Sequence, residues 1–279
     1  EDSGYSKLLR PLLKTEHAIG RVLYHYDYSD VTTETQQHKR GRMRVRKQRP
    51  LVDVVILSNA DRPGLAQMTQ DTIKSCIAGA NSLPINVVVM EQQAHSYRFA
   101  TTVRCPGEFN YNRFCNRGAA LGDAEWILFA NNDLVFHDGW LHQLLAADHP
   151  VVSPKCPLDP RQAEILENTT GTYTARHLSG WCFMMRRELW QQIGGLDDCV
   201  SFWCSDDVVI EQLKLVGVEP MLVVDSVVEH LQSATLKHQP APDELTWKQI
   251  DIFNRKYGRH RMAADRRFRA WERRNAHTG

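Results

Sequence analysis

Residues Phe129 to Val135 read Phe-Ala-Asn-Asn-Asp-Leu-Val and close a hydrophobic run, Trp126-Ile127-Leu128-Phe129. The run has the length and composition of a buried strand, and three polar residues stand where it should end. Open α/β sheets hold their ligands beyond the carboxyl ends of their strands. A carboxylate delivered there, Asp133, can grip a divalent cation, and the cation can grip a diphosphate. Taken alone, Asn131-Asn132-Asp133 is equally a turn that ends a strand, because these are ordinary turn residues.

Further polar clusters stand at the ends of other apolar runs. Ser58-Asn59-Ala60-Asp61 follows Leu51 to Leu57. Glu91 follows Ile85 to Met90. His230 comes just after an apolar run, Val223 to Val228, that is broken by Asp225. Asp206 and Asp207 are adjacent, ahead of an apolar stretch that begins at Val208. A carboxylate in such a place can take a proton from a hydroxyl, or it can cap a helix and meet its dipole.

The elements that must position these groups follow from periodicity. Runs at 51–57, 85–90 and 126–129 are continuous and β-branched. They alternate with helical patterns at 65–79 and 109–121. That alternation predicts a mainly parallel sheet with both faces covered. Beyond Asp133 the pattern predicts a helix over 140–147, a short strand at 151–153, and a polar, irregular acceptor-side loop over 157–177. A strand over 181–185, a short helix over 188–193, a helix over 208–216, a strand over 221–224 and a helix over 245–257 complete it.

The order of these pieces resembles the family-2 nucleotide-sugar glycosyltransferases of the GT-A fold. Ser58-Asn59-Ala60-Asp61-Arg62, Glu91, the helix Asn112 to Ala119 with Gly122, and Asn131-Asn132-Asp133 carry the first half. Ser179-Gly180-Trp181, Ile193-Gly194-Gly195-Leu196-Asp197, Ser205-Asp206-Asp207 and Val228-Glu229-His230 carry the second. The resemblance covers about residues 51–258. It implies transfer of a sugar from a nucleoside diphosphate donor to an acceptor hydroxyl, with Mn²⁺ or Mg²⁺ and with inversion. Asp133 resembles the last carboxylate of the family's Asp-x-Asp motif, and Asn131 replaces its first. His230 would complete the metal shell. Asp207 or Asp206 would be the catalytic base, with Asp207 the first candidate. Ser58, Asn59, Asp61, Glu91, Arg113, Asn131 and Asn132 would hold the nucleotide. Gly180 would let the substrate approach closely, and Trp181 would stack on a sugar or belong to the core.

Charge divides the chain. Residues 39–49 carry seven basic groups and no acidic one, residues 245–279 carry ten basic and three acidic groups, residues 1–38 are net −2, and the total of +1 leaves residues 50–244 at net −11. An acidic centre suits a metal, and basic flanks suit an anionic partner such as an acceptor nucleic acid. The expected organisation is an extension with a basic arm over 1–50, a GT-A-like domain over 51–235, and a C-terminal helix with a basic tail over 236–279. No apolar run approaches the roughly 20 residues of a membrane span, and no signal-peptide pattern opens the sequence. Seven cysteines without Cys-x-x-Cys spacing suit reduced thiols in a cytoplasmic protein. Two rival readings remain. One is a glycoside hydrolase, which needs opposed acids and leaves the metal-like cluster unexplained. The other is a nucleic-acid-binding protein without catalysis, or a DNA glycosyltransferase acting on hydroxylated bases, in which the basic flanks come first.

Overall fold

Val52, Val54 and Ile56 face one hydrophobic core, while Val55 and Leu57 face another. A strand buried on both faces has little room for polar alternation, which is why residues 52–57 are apolar except for Asp53. Each fully buried aliphatic side chain contributes roughly 2 kcal/mol. This strand, β1 (Val52–Ser58), lies inside the sheet of a computed structural model that describes residues 49–231 and 242–275. Residues 1–48 of the expected extension with its basic arm, and the segment 232–241, lie outside the described residues.

Along the chain follow α1 (Pro63–Gly79), β2 (Ile85–Glu91), β3 (Thr101–Arg104), α2 (Tyr111–Ala119), β4 (Trp126–Asn131), β5 (Leu134–Phe136) and α3 (Trp140–Ala146). Next come β6 (Val151–Lys155), α4 (Pro160–Ala163), β7 (Thr169–Thr170), β8 (Cys182–Arg186), α5 (Arg187–Gln192), α6 (Ser205–Leu215) and β9 (Met221–His230). The chain closes with α7 (Pro242–Tyr257), a 3-10 turn (Arg261–Ala264) and α8 (Arg266–Asn275). The strand order is β3-β2-β1-β4-β8-β6-β9-β5, with β7 on β9. β1 pairs parallel with both β2 and β4, whereas β8, β5 and β7 run against their neighbours.

The chain leaves β1 in one direction, through β2 and β3, then returns to β4 on the other side. The switch point of the sheet therefore lies between the carboxyl ends of β1 and β4, where a crevice must open. One face carries α1 and α3, with Ile73, Trp140 and Leu144 in the core. The other carries α2 and α6, with Phe114, Val209 and Leu213. Helix α2 presses close on β1: a Cβ at Gly118 would lie 2.3 Å from Val55 Cγ1.

Three elements differ from expectation. Helix α6 begins at Ser205 rather than near Val208, capped by Cys204 in the left-handed conformation (φ 63°). Asp206 and Asp207 thus lie inside its first turn. Strand β9 does not stop at Val224. Its pairing with β6 jumps from Pro154↔Val223 to Lys155↔Val227, and this bulge lets it continue to His230, where it pairs with β5. The polar residues at 225 and 226 hid that continuation. The segment after 242 is packed structure: Trp247, Ile250, Phe253 and Phe268 join Val200, Cys204 and Val208 in a third core. No helix among the described residues is long and apolar enough to cross a membrane.

Candidate active site

Asp133 sits two residues beyond the end of β4, at the switch point, and is buried. The pairing Leu134↔His230 and the bond from Leu231 N–H to the Asp133 carbonyl (3.0 Å) bring the end of β9 beside it. His230 Nε2 lies 3.3 Å from Asp133 Oδ2. The β9 bulge creates this meeting between residues almost a hundred positions apart. Two donor atoms each about 2.1 Å from one ion and at right angles to it lie about 3 Å apart, so the pair has the spacing of a shared ion. One carboxylate oxygen with one imidazole nitrogen suits Mn²⁺ better than Mg²⁺.

Trp181 completes this wall. Its indole stacks on the His230 ring at 5.4 Å between centroids and 15° between planes, and it is buried. Its carbonyl accepts from Asn131 N–H at 2.9 Å. The ring therefore orients the histidine and closes the core, which is the second of the two roles open to it from sequence. Next to it, the Gly180 carbonyl accepts from the Tyr111 hydroxyl, and Gly180 N–H donates to Asp206 Oδ2 at 3.3 Å. A continuous chain of contacts thus runs from Asp133 through His230, Trp181 and Gly180 to Asp206.

The two aspartates of α6 have different surroundings. Asp206 is pushed up to about 6 by burial and then by the charge of Asp207. Asp207 is also desolvated, but His260, Thr174 and Arg261 together hold it below the usual carboxylate range. Thr174 Oγ1 donates to Asp207 Oδ1 at 2.6 Å, His260 Nε2 is 3.2 Å from Oδ2, and an Arg261 amine is 3.5 Å from Oδ1. An acid pair whose environments push the two proton affinities apart divides the labour between them. Asp207, the first candidate from sequence, has its carboxylate enclosed by protein groups. Asp206 has the proton affinity of a base and faces Gly180.

Cys204, Asp207 and His260 also place donor atoms within 4.8 Å of one another. Met262 N–H donates to His260 Nδ1 at 3.2 Å, and His260 Nε2 lies 3.2 Å from Asp207 Oδ2. Burial pushes the Cys204 thiol far up.

Several residues expected at the nucleotide are committed to the scaffold. Glu91 is fully buried. Its Oε1 accepts from Ala60 N–H (3.1 Å) and Gln93 N–H (2.8 Å), and its Oε2 accepts from the Tyr97 hydroxyl (2.6 Å). A carboxylate so enclosed braces the loop after β1. Ser58 joins a buried hydroxyl cluster with Thr69 (2.9 Å) and Tyr97 (3.4 Å), and Asn132 Nδ2 donates to Thr69 at 2.9 Å. Arg113 Nε donates to Asp198 at 2.8 Å on the surface. Asn59 accepts from Gln93 Nε2 (2.9 Å), and Asp61 is exposed beside Arg62. Asn131 and Asn59 stay at the two strand ends that flank the crevice.

Sequence reasoning missed the asparagines of α2. Asn110 caps the helix by accepting from Arg113 N–H (3.0 Å) and donates to the carbonyls of Asp198 and Val200. Asn112 donates to the Asp197 carbonyl at 2.7 Å. Asn116 donates to the Leu196 carbonyl (2.6 Å) and accepts from Leu196 N–H and Trp190 Nε1. These bonds hold the segment that delivers Asp206. Three poor helix formers within one short helix were the available signal. Thr174, His260 and Arg261 were missed too, because nothing local marks them.

No protein-family model and no curated protein matches the chain. Solved structures do. A mannosyltransferase from Pyrobaculum calidifontis, PcManGT, in complex with GDP-Man and Mn²⁺, superposes with a TM-score of 0.51 at 16% identity, over 74% of this chain and 64% of that one. GalNAc-T7 with UDP, GalNAc and Mn²⁺ superposes with a TM-score of 0.57 at 11% identity, over 75% of this chain and 49% of that one. The chain thus spans about half to two thirds of the length of these structures. Its α/β architecture, a mostly parallel sheet between helices, is that of the GT-A fold.

Proposed function

We propose that the protein transfers a sugar from a nucleoside diphosphate sugar to an acceptor hydroxyl, with inversion at the anomeric carbon. Asp133 and His230 hold a divalent cation, Mn²⁺ in first place. When bound, that cation offsets the charge gathering on the departing diphosphate. Asn131 and Asn59, at the ends of β4 and β1, border the nucleotide. Asp206 accepts the proton of the attacking hydroxyl as the bond to the sugar forms. One base and one in-line displacement give inversion. Asp207, held ionised by His260, Thr174 and Arg261, keeps Asp206 basic through its charge. The observation that carries the reading is the Asp133–His230 pair at the sheet's switch point, joined to Asp206 by Trp181 and Gly180.

The acceptor is a saccharide hydroxyl. The exposed arginines of α8, Arg266, Arg267, Arg269, Arg273 and Arg274, favour a hydroxylated base in DNA as a second reading. All seven cysteines are free, which supports a reducing compartment, the cytoplasm.

The test is thermal unfolding with UDP or GDP, with and without Mn²⁺. One of the two nucleotides should raise the midpoint only when Mn²⁺ is present, and EDTA should reverse the rise. Asp133→Ala should remove the Mn²⁺-dependent part. A rise that survives in Asp133→Ala sinks the metal assignment.

A further inference from the structure

We infer that Arg161 and Arg261 form an anion-binding subsite for the acceptor, seating a phosphate or carboxylate that it carries beside its reacting hydroxyl. The inference rests on the transferase reading above.

Both guanidinium groups are fixed by buried partners and left open on one side. Arg161 straddles Asp159, with Nε 2.9 Å from Oδ1 and Nη2 2.7 Å from Oδ2. The Asp159 side chain is 7% exposed, whereas that of Arg161 is 61% exposed. Arg261 donates to Thr174 Oγ1 and approaches Asp207, and it remains 52% exposed. Asp159 also caps α4, accepting from Arg161 N–H at 2.9 Å, so the carboxylate that starts the helix holds the guanidinium still as well. A pre-set guanidinium fork with spare N–H donors is well matched to a phosphate or carboxylate.

The position of α4 brings Arg161 to the site. The next residue, Gln162, is fully buried. It accepts from Cys156 N–H at 2.8 Å and donates to Ser179 Oγ at 3.1 Å. Cys156 Sγ in turn accepts from His230 N–H at 3.4 Å, and Ser179 precedes Gly180. Helix α4 is thus pinned between the metal-side histidine and the glycine that touches Asp206. Arg161 and Arg261 both interact electrostatically with Asp206, as His230 does with Asp159. The proposed base therefore lies within the field of both cations. An anionic acceptor approaching Asp206 and a diphosphate would be repelled without them. Arg161 also lines an open cleft of about 710 Å³ with Pro160, Leu166, Asn168, Arg176 and the carboxylates Glu164 and Glu167, which leaves room for the rest of the acceptor away from its anionic group.

The experiment titrates the protein, loaded with Mn²⁺ and UDP or GDP, with dimethyl phosphate and with methyl glucuronate, and follows binding by calorimetry. One probe should bind, and the phosphodiester or the sugar carboxylate is identified by which does. Arg261→Gln and Arg161→Lys should each weaken it about tenfold or more, as expected for losing a charge-assisted bidentate contact. Arg161→Lys keeps a cation beside Asp159, and Arg261→Gln removes an exposed side chain, so both variants remain foldable. Neither probe binding to the nucleotide-loaded protein overturns the subsite. So does equal binding by the variants, and so does a loss of nucleotide affinity in place of probe affinity, which would assign the arginines to the donor. If neither nucleotide binds with Mn²⁺, the transferase reading itself fails and takes the subsite with it.

Discussion

Replacing Asp206 by Asn should remove activity and at the same time stabilise the protein at neutral pH. The sign follows from linkage. Asp206 is raised from 3.8 to about 6 in the folded chain. Between these values the folded state binds more protons than the unfolded one, so stability falls as pH rises through that window. Above pH 6 the whole penalty is present, and below 3.8 it is gone. About 2 pH units correspond to about 3 kcal/mol. Asn does not ionise and is relieved of this penalty. It cannot, however, accept both from Gly180 N–H and from Asp207 N–H as the carboxylate does, which costs about 1 kcal/mol. The net gain at pH 7.5 is about 2 kcal/mol, or about 4–8 °C in Tm for a unit of this size. At pH 4 only about half a kcal/mol of the penalty remains, so the gain should vanish or reverse. Thermal unfolding by circular dichroism, wild type against Asp206→Asn at each pH, measures this without any substrate. A variant less stable than wild type at pH 7.5, or a gain that persists unchanged at pH 4, refutes the assignment of Asp206 as a strained, raised carboxyl.

Two other substitutions probe the site and its frame. Gly180→Ala would put a methyl 3.1 Å from both Cβ and Oδ2 of Asp206, so the Asp206 side chain must shift by a few tenths of an ångström. Nucleotide release from a sugar nucleotide in the presence of acceptor should fall about 10- to 100-fold, and wild-type turnover would show that the Asp206 position is uncritical. At the opposite end of the sheet, Arg187 holds buried Asp53 at 2.6 Å and also bonds the carbonyls of Ala124 and Ala119. Arg187→Ala should cost about 3–5 kcal/mol in urea unfolding because it strands a buried charge. The double change of Asp53→Asn with Arg187→Met should cost less, and an unaltered midpoint in the single variant contradicts the argument.

The strands at 52–58, 85–91 and 126–131 were legible because burial on both faces favours apolar runs, broken inside only at Asp53 and Asn86, and their polar ends then stand out. Asp133 and His230 were legible for the same reason, as polar residues at the ends of such runs. Glu91 shared that signal and turned out to be buried bracing. A strand-end position says where a carboxylate begins, not which N–H and O–H groups enclose it. The start of α6 was misjudged because its cap is a left-handed cysteine, a residue without capping preference.

What the amino-acid order determined alone is the alternation of strand and helix, the carboxyl-end rim and the pair of adjacent acids. All of these depend on residues close in sequence. What distinguishes Asp206 from Asp207 exists only in three dimensions. It depends on Thr174, His260 and Arg261, which reach Asp207 from loops 33 to 54 residues away, and on Gly180, which meets Asp206. The proton affinity of a carboxylate is a property of its surroundings, and those surroundings exist only once the chain has closed around it.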